Sequence, residues 1–137
     1  MQGQKANRIQ VMSKEGESIF TFGDKGPEKL LWPTCCIPYK NMFLVSDGDN
    51  HYIKAFDQSG TFLYKFGKEG NQDGQFDMPF GLLVDSSCNL LVCDLGNDRV
   101  RQFALDGRFT GKNITHLSRP MAITNAPDGC ILVSSDY

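Results

Sequence analysis

The sequence predicts an all-β fold, a partial β-propeller of four-stranded blades, and three observations carry that prediction. First, three stretches repeat: RIQVMSKEG (residues 8–16), YIKAFDQSG (52–60) and RVRQFALDG (99–107), which puts Met12, Phe56 and Phe103 at spacings of 44 and 47 residues. Second, a proline recurs at the head of an apolar run, at Pro33, Pro79 and Pro120, spaced by 46 and 41 residues. Third, each unit holds short segments rich in β-branched, leucine and aromatic residues, separated by Gly, Asp, Asn and Ser turns, with no room for a long amphipathic helix. A period in the forties with four strands per unit is that of a propeller blade. Leucine-rich, ankyrin and tetratricopeptide arrays have shorter periods and need helices or asparagine ladders.

In chain order, the repeat units span about residues 1–23, 24–67, 68–111 and 112–137. The first enters at a third strand, NRIQVM, and closes with the aromatic pair of IFTFG. The second runs through WPTCCI, FLVSD ending at Asp47, the turn into YIKAF, and YKFG. The third repeats this as MPFGLL, LLVCD ending at Asp94, and RVRQF, but its last segment, GRFTGK, is polar and lacks the aromatic pair. The fourth supplies RPMAIT and ILVSSD ending at Asp136 and stops before a third strand. Two full blades are therefore expected, flanked by the outer two strands of one blade and the inner two of another.

Bulk composition bounds the function classes. Fourteen Lys and Arg against 16 Asp and Glu give a net charge of −2, so the chain is not a basic nucleic-acid module on average, although a local basic face is compatible with these numbers. No apolar run approaches the roughly 20 residues a spanning helix needs, and MQGQKANRIQ lacks the apolar region of a signal peptide, so no membrane association is expected. Five cysteines without a C-x-x-C pair signal neither a disulfide framework nor a zinc knuckle. Most sit beside apolar runs, as buried core thiols do, which points to a reducing, cytoplasmic location; the sequon at Asn113 argues mildly the other way.

The segment Asn97-Asp98-Arg99-Val100, with PFGLLVD (79–85) before it and Asp106-Gly107 after, resembles the NHL repeat, most like the C-terminal NHL domain of tripartite-motif proteins. Departures from the pattern are Ala6 in place of the turn Asn, Tyr52 in place of the Arg, and Cys35 and Ala122 in place of the Gly after Pro. The resemblance implies a full ring of about six blades, of which this chain supplies about half. It also implies a binding platform that recognises a protein partner or a single-stranded or hairpin RNA, at the recognition end of a RING-type E3 ubiquitin ligase; the chain itself carries no RING or B-box pattern. Residues that recur from blade to blade are best explained by what every blade must do. Pro33, Asp47, Asn50, Pro79, Gly81, Asp85, Asp94, Arg99, Gly107, Pro120 and Asp136 are accordingly expected to be structural. Asp94 and Asn97 suit turn amides, and Arg99 suits a carboxylate at a blade junction.

Catalysis finds little support. Only His51 and His116 are present, neither at metal-ligand spacing, and no nucleophile elbow, Walker loop or dinucleotide turn occurs, so no catalytic residue, metal or cofactor is assigned. The alternative is a metal-dependent lyase or lactonase-type propeller enzyme. Binding is better served, because in a propeller the loops before the innermost strand and between the second and third strands share the face around the central channel. That face would present Trp32, Thr34, Met78, Phe80, Arg119 and Met121 beside the prolines, and His51, Tyr52, Asn97 and Asp98 at the turns. Lys68, with Lys25, Lys29 and His116, adds positive groups. Rings beside cations suit RNA, where stacking contributes about 1–3 kcal/mol per base, and they also suit a peptide. Phe76 and Phe103 are expected in the core. Expressed alone, two copies could pair head to tail and complete the ring as a homodimer.

Overall fold

A computed structural model describes residues 7–136; Ala6 lies outside them. Twelve strands form β1 (Ile9–Met12), β2 (Ser18–Phe22), β3 (Pro33–Tyr39), β4 (Met42–Asp47), β5 (Tyr52–Asp57), β6 (Phe62–Phe66), β7 (Pro79–Val84), β8 (Leu90–Asp94), β9 (Arg99–Phe103), β10 (Phe109–Ile114), β11 (Ala122–Asn125) and β12 (Ile131–Ser134). They assemble into two four-stranded antiparallel sheets, β3-β4-β5-β6 and β7-β8-β9-β10, and two two-stranded sheets, β1-β2 and β11-β12. The expected blades are therefore present: two whole, one represented by its outer pair and one by its inner pair. Short 3-10 turns, Gly48–Asn50 and Leu95–Asn97, link the second and third strands of each whole blade.

Three apolar clusters lie between successive sheets. Phe22 and Leu30 pack on Val45 and Phe56; Leu44 and Ile53 pack on Leu82, Val92 and Phe103; Leu91 and Cys93 pack on Ile123. Each whole blade is thus covered on both faces, which is why LLVCD and RVRQF are buried at every position rather than at alternate ones. Phe76 and Phe103 are fully buried.

The recurring glycines set how closely blades approach. Gly107, at φ 97°, closes the β9–β10 hairpin over Phe66 of the preceding blade, where a Cβ would lie 2.6 Å from the ring. Gly81 stands near the axis, where a Cβ would come within 2.8 Å of the Met121 carbonyl oxygen. Only glycine fits that gap without moving backbone.

Candidate functional site

The face around the axis is built from two buried carboxylates. Asp47, at the end of β4, accepts the backbone N–H groups of Leu31 (2.9 Å) and Trp32 (3.2 Å) on one oxygen. Its other oxygen takes the Asn50 amide (2.7 Å) and the Lys54 ammonium (3.0 Å). In the next blade Asp94 accepts the Asp77 N–H (2.7 Å), the Asn97 amide (2.9 Å) and Arg99 Nε (2.9 Å). Burial pushes the Asp94 carboxyl above its ordinary value, while Asn97, the Asp77 N–H and Arg99 pull it back down. Each carboxylate fixes the segment that leads into its blade's proline.

Arg99 also donates to the carbonyl oxygens of Asn71 (3.0 Å) and Gln75 (3.4 Å), so it ties the β6–β7 connection to the third strand. Tyr52 occupies the same position one blade earlier and cannot supply a charge. Lys54, two residues along and on the same side of β5, reaches Asp47 instead and also donates to the Glu28 carbonyl (3.1 Å). Sequence reasoning missed Lys54, although a signal was there: a basic residue recurs at this repeat position, as Arg101. That arginine pairs with Asp73 (2.9 Å) and lies 4.3 Å from the centre of the Phe109 ring.

A second device joins blade to blade. His51 and Asp98 both adopt left-handed conformations, at φ 60° and 55°, at the ends of the two 3-10 turns. His51 Nδ1 accepts the Met78 N–H (3.1 Å), and Asp98 accepts the Arg119 N–H (2.9 Å). At the equivalent first junction the Asn7 amide donates to the Leu31 carbonyl. Met78 and Arg119 are themselves left-handed, so the turn of one blade clamps the residue before the proline of the next.

With the backbone held, the expected site residues separate into two groups. Trp32 is 43% exposed and sets its ring edge-on to Phe80, 5.9 Å between centres at 87°. Leu31 and Met121 are also exposed, with Met121 at the position of Phe80 one blade on. Lys68 is exposed on the β6–β7 connection. The others are turned to internal bonds: the Thr34 hydroxyl donates to the Pro79 carbonyl (2.7 Å), Asn97 bridges Asp94 and the Gly70 carbonyl, and Tyr52 lies beneath Lys65, whose ammonium stands 4.5 Å from the ring centre. Lys65 in turn pairs with Glu28. Ser46, unremarked in the sequence, donates to the Phe80 carbonyl (2.6 Å) and fixes the backbone that carries that ring.

Among the expected structural residues, Asn50 and Asn97 brace their carboxylates, and Asp85 accepts the N–H groups of Ser87 and Asn89 at the β7–β8 turn. Asp136 is different. Ala122 pairs with Ser134, whereas the equivalent Cys35 pairs with Ser46, so Ser135 holds the place of Asp47 and Asp94. The extra serine of VSSD moves Asp136 one residue on, where it pairs with the Arg119 side chain (3.1 Å). Among the described residues no three His, Cys, Asp or Glu side chains gather as a metal site, and no helix is long and apolar enough to cross a membrane.

No family model matches the chain. Among curated proteins it is 30% identical over 97 residues to Protein brain tumor of Drosophila melanogaster, covering 69% of this chain and 9% of that one. It is 26% identical over 117 residues to the human E3 ubiquitin-protein ligase NHLRC1 (83% and 29%) and 28% identical over 95 residues to the human NHL repeat-containing protein 3 (65% and 27%). The chain thus spans less than a third of each of these relatives. Among solved structures, a streptogramin B lyase superposes with a TM-score of 0.71 at 18% identity, over 96% of this chain and 42% of that one. The WD40 β-propeller domain of Doa1 gives 0.68 at 17%, over 93% and 40%. At these identities the structures speak to fold alone. Repeat motifs, blade architecture and relatives converge, and the chain is a segment of an NHL-repeat β-propeller, about half a ring.

Proposed function

We propose that this segment is the binding platform of a cytoplasmic regulatory protein, taking a protein ligand through apolar contacts on the channel-mouth face. The carrying observation is Trp32, held half exposed against Phe80 with Leu31 and Met121 exposed on the same face. Rings anchored by a bonded backbone and left open to solvent are what a protein interface uses as its centre. The charges around them favour protein over RNA. Arg119 is paired with Asp136 and Lys65 with Glu28, while the carboxylates of Asp98 and Glu69 stand exposed near the same rim. A phosphate chain would need several cations that are not already neutralised. By analogy with relatives such as NHLRC1, the platform would be the recognition end of a RING-type E3 ubiquitin ligase and itself perform no chemistry. The reading as a lyase or lactonase rests on fold likeness only.

Trp32 is the single tryptophan of the chain, so it reports on its own site. Titration with a library of linear peptides is expected to shift its fluorescence to the blue, with little dependence on salt and with loss of binding in Phe80→Ala. Response to single-stranded or hairpin RNA pools alone, weakening steeply with salt and abolished by Lys68→Ala, would overturn the protein reading.

A further inference from the structure

The junction between the two whole blades holds a charge that the fold does not use. Elsewhere in these blades carboxylates are matched: Asp47 by Lys54, Asp94 by Arg99, Glu28 by Lys65 and Asp73 by Arg101. Asp57, Asp85 and Asp106 accept N–H groups of their own hairpin turns. Asp77 is half-buried, yet among the described residues its carboxylate meets neither a cation nor a hydrogen-bond donor. Its place is nonetheless fixed. The Asp77 N–H donates to Asp94 (2.7 Å), its carbonyl oxygen accepts the Gly96 N–H (2.7 Å), and its carboxyl lies against Gly96, where an added Cβ would come 2.6 Å from Oδ2. The repeat does not require this charge, since Leu31 and Ser118 stand at the same place, two residues before the proline.

Asp77 shares a polar recess of about 250 Å³ with Glu69, Gly70, Asn71 and Asn97. Glu69 stands 3.7 Å from His51 Nε2, but that ring accepts the Met78 N–H on Nδ1. The imidazole therefore carries its one proton on Nε2 and is uncharged, so the Glu69 charge stays whole. Against Glu69 and Asp77 the β6–β7 connection sets a single unpaired cation, Lys68. The recess opens beside the aromatic pair: Asp77 precedes Phe80 by three residues, which keeps their Cα atoms within about 11 Å, and Phe80 holds Trp32 edge-on. These groups belong to the two whole blades and the connections that lead into them.

We propose that the ligand of this face is a linear protein segment in which an aromatic or large aliphatic side chain stands two or three residues from a lysine or arginine. The apolar side chain rests on Trp32 and Phe80, and the cation enters the recess between Glu69 and Asp77. The proposal rests on the reading of this face as a protein platform and adds what the protein must carry. A half-buried carboxylate gains most from a partner that brings charge and donors together, and an ammonium or guanidinium supplies both. An apolar segment without a cation would leave Asp77 and Glu69 unmatched, and an acidic one would be repelled. One such cation keeps the salt dependence small, unlike a chain of phosphates.

Selection of a displayed library of randomised linear peptides on the 137-residue chain tests this. The expected winners carry Lys or Arg two or three residues from Phe, Tyr, Leu or Met. For a synthetic winner followed by Trp32 fluorescence, replacing the basic residue with Gln is expected to weaken binding about fivefold to tenfold, and with Glu further. Asp77→Asn keeps the backbone bonds and the shape, and it is expected to abolish the difference between the basic and Gln peptides; the exposed Glu69→Gln is expected to reduce it. Winners without a basic residue, or a preference for one that survives in both variants, overturn the proposal and leave the platform reading standing. No response of Trp32 to any peptide overturns both.

Discussion

The two whole blades bury the same carboxylate and neutralise it from different places. In β7–β10 the cation is Arg99, the first residue of its strand, and its fork also serves carbonyl oxygens of the incoming connection. In β3–β6 that position holds Tyr52, and Lys54 reaches back along the strand to bridge Asp47 and Glu28. Residues two apart on a strand share a face, so either can present a charge to one point if its stem is long enough. What the blade requires is a positive charge at the carboxylate, and the strand offers two addresses from which to supply it.

Removing the cation is the largest available test of that statement. Lys54→Ala leaves Asp47, which is 0% exposed, without a counter-charge, and a loss of about 3–5 kcal/mol is expected in urea unfolding. Adding Tyr52→Arg to that variant restores a charge from the other address and is expected to recover at least half of the loss. Unchanged stability in the double variant would show that the two blades do not share one rule.

A smaller difference separates the inner strands. Gly81 and Cys35 occupy the same place after the proline and both face the next inner strand; an added Cβ at Gly81 would come within 2.8 Å of the Met121 carbonyl and 2.9 Å of the Ala122 Cα, whereas the Cys35 side chain already fits, with its thiol at the Leu82 backbone. Gly81→Ala is expected to cost about 1–3 kcal/mol through that overlap. Cys35→Ala, which removes a half-buried sulfur and its contact with the Leu82 backbone, is expected to cost about 1 kcal/mol. Equal losses would mean that the junction on β11 yields as readily as that on β7.

The blades were legible in the sequence because their markers are local and periodic: proline at the head of the inner strand, aspartate at the end of the second, glycine at the outer hairpin. Each is a backbone requirement that recurs wherever a blade recurs. What the residues do with their side chains was less legible. Thr34 and Asn97 have the polarity of ligand contacts, but their bonds go to Pro79 and Gly70, residues supplied from other strands or connections, which spacing along the chain does not reveal. Asp136 differs for another reason: one added serine carries it a residue beyond the place of Asp47 and Asp94, past the end of β12, where it meets Arg119. Lys54 stands within an apolar strand, where a charge signals a buried partner only after the repeat has been aligned.

The smallest expected effect concerns reactivity and compares Ser46 with Cys93, which occupy one position in the two blades. Burial, with Cys35 nearby, pushes the Cys93 thiol up to about 12, and burial with the same neighbour pushes Cys36 up to about 11. Thiolate is the species that is alkylated, so at pH 8 iodoacetamide is expected to modify the exposed Cys88 and Cys130 at once and Cys93 only as its blade opens. Ser46 faces the whole blade that begins with β7, whereas Cys93 is covered by the two-stranded β11-β12 sheet through Ile123. A half blade offers fewer bonds to hold the cover down, and opening free energy follows local contacts. The thiol of Ser46→Cys is therefore expected to react more slowly than Cys93 in the same molecule, read by mass spectrometry of the labelled peptides. Should Cys93 prove the slower of the two, the half blade is held as firmly as the whole one.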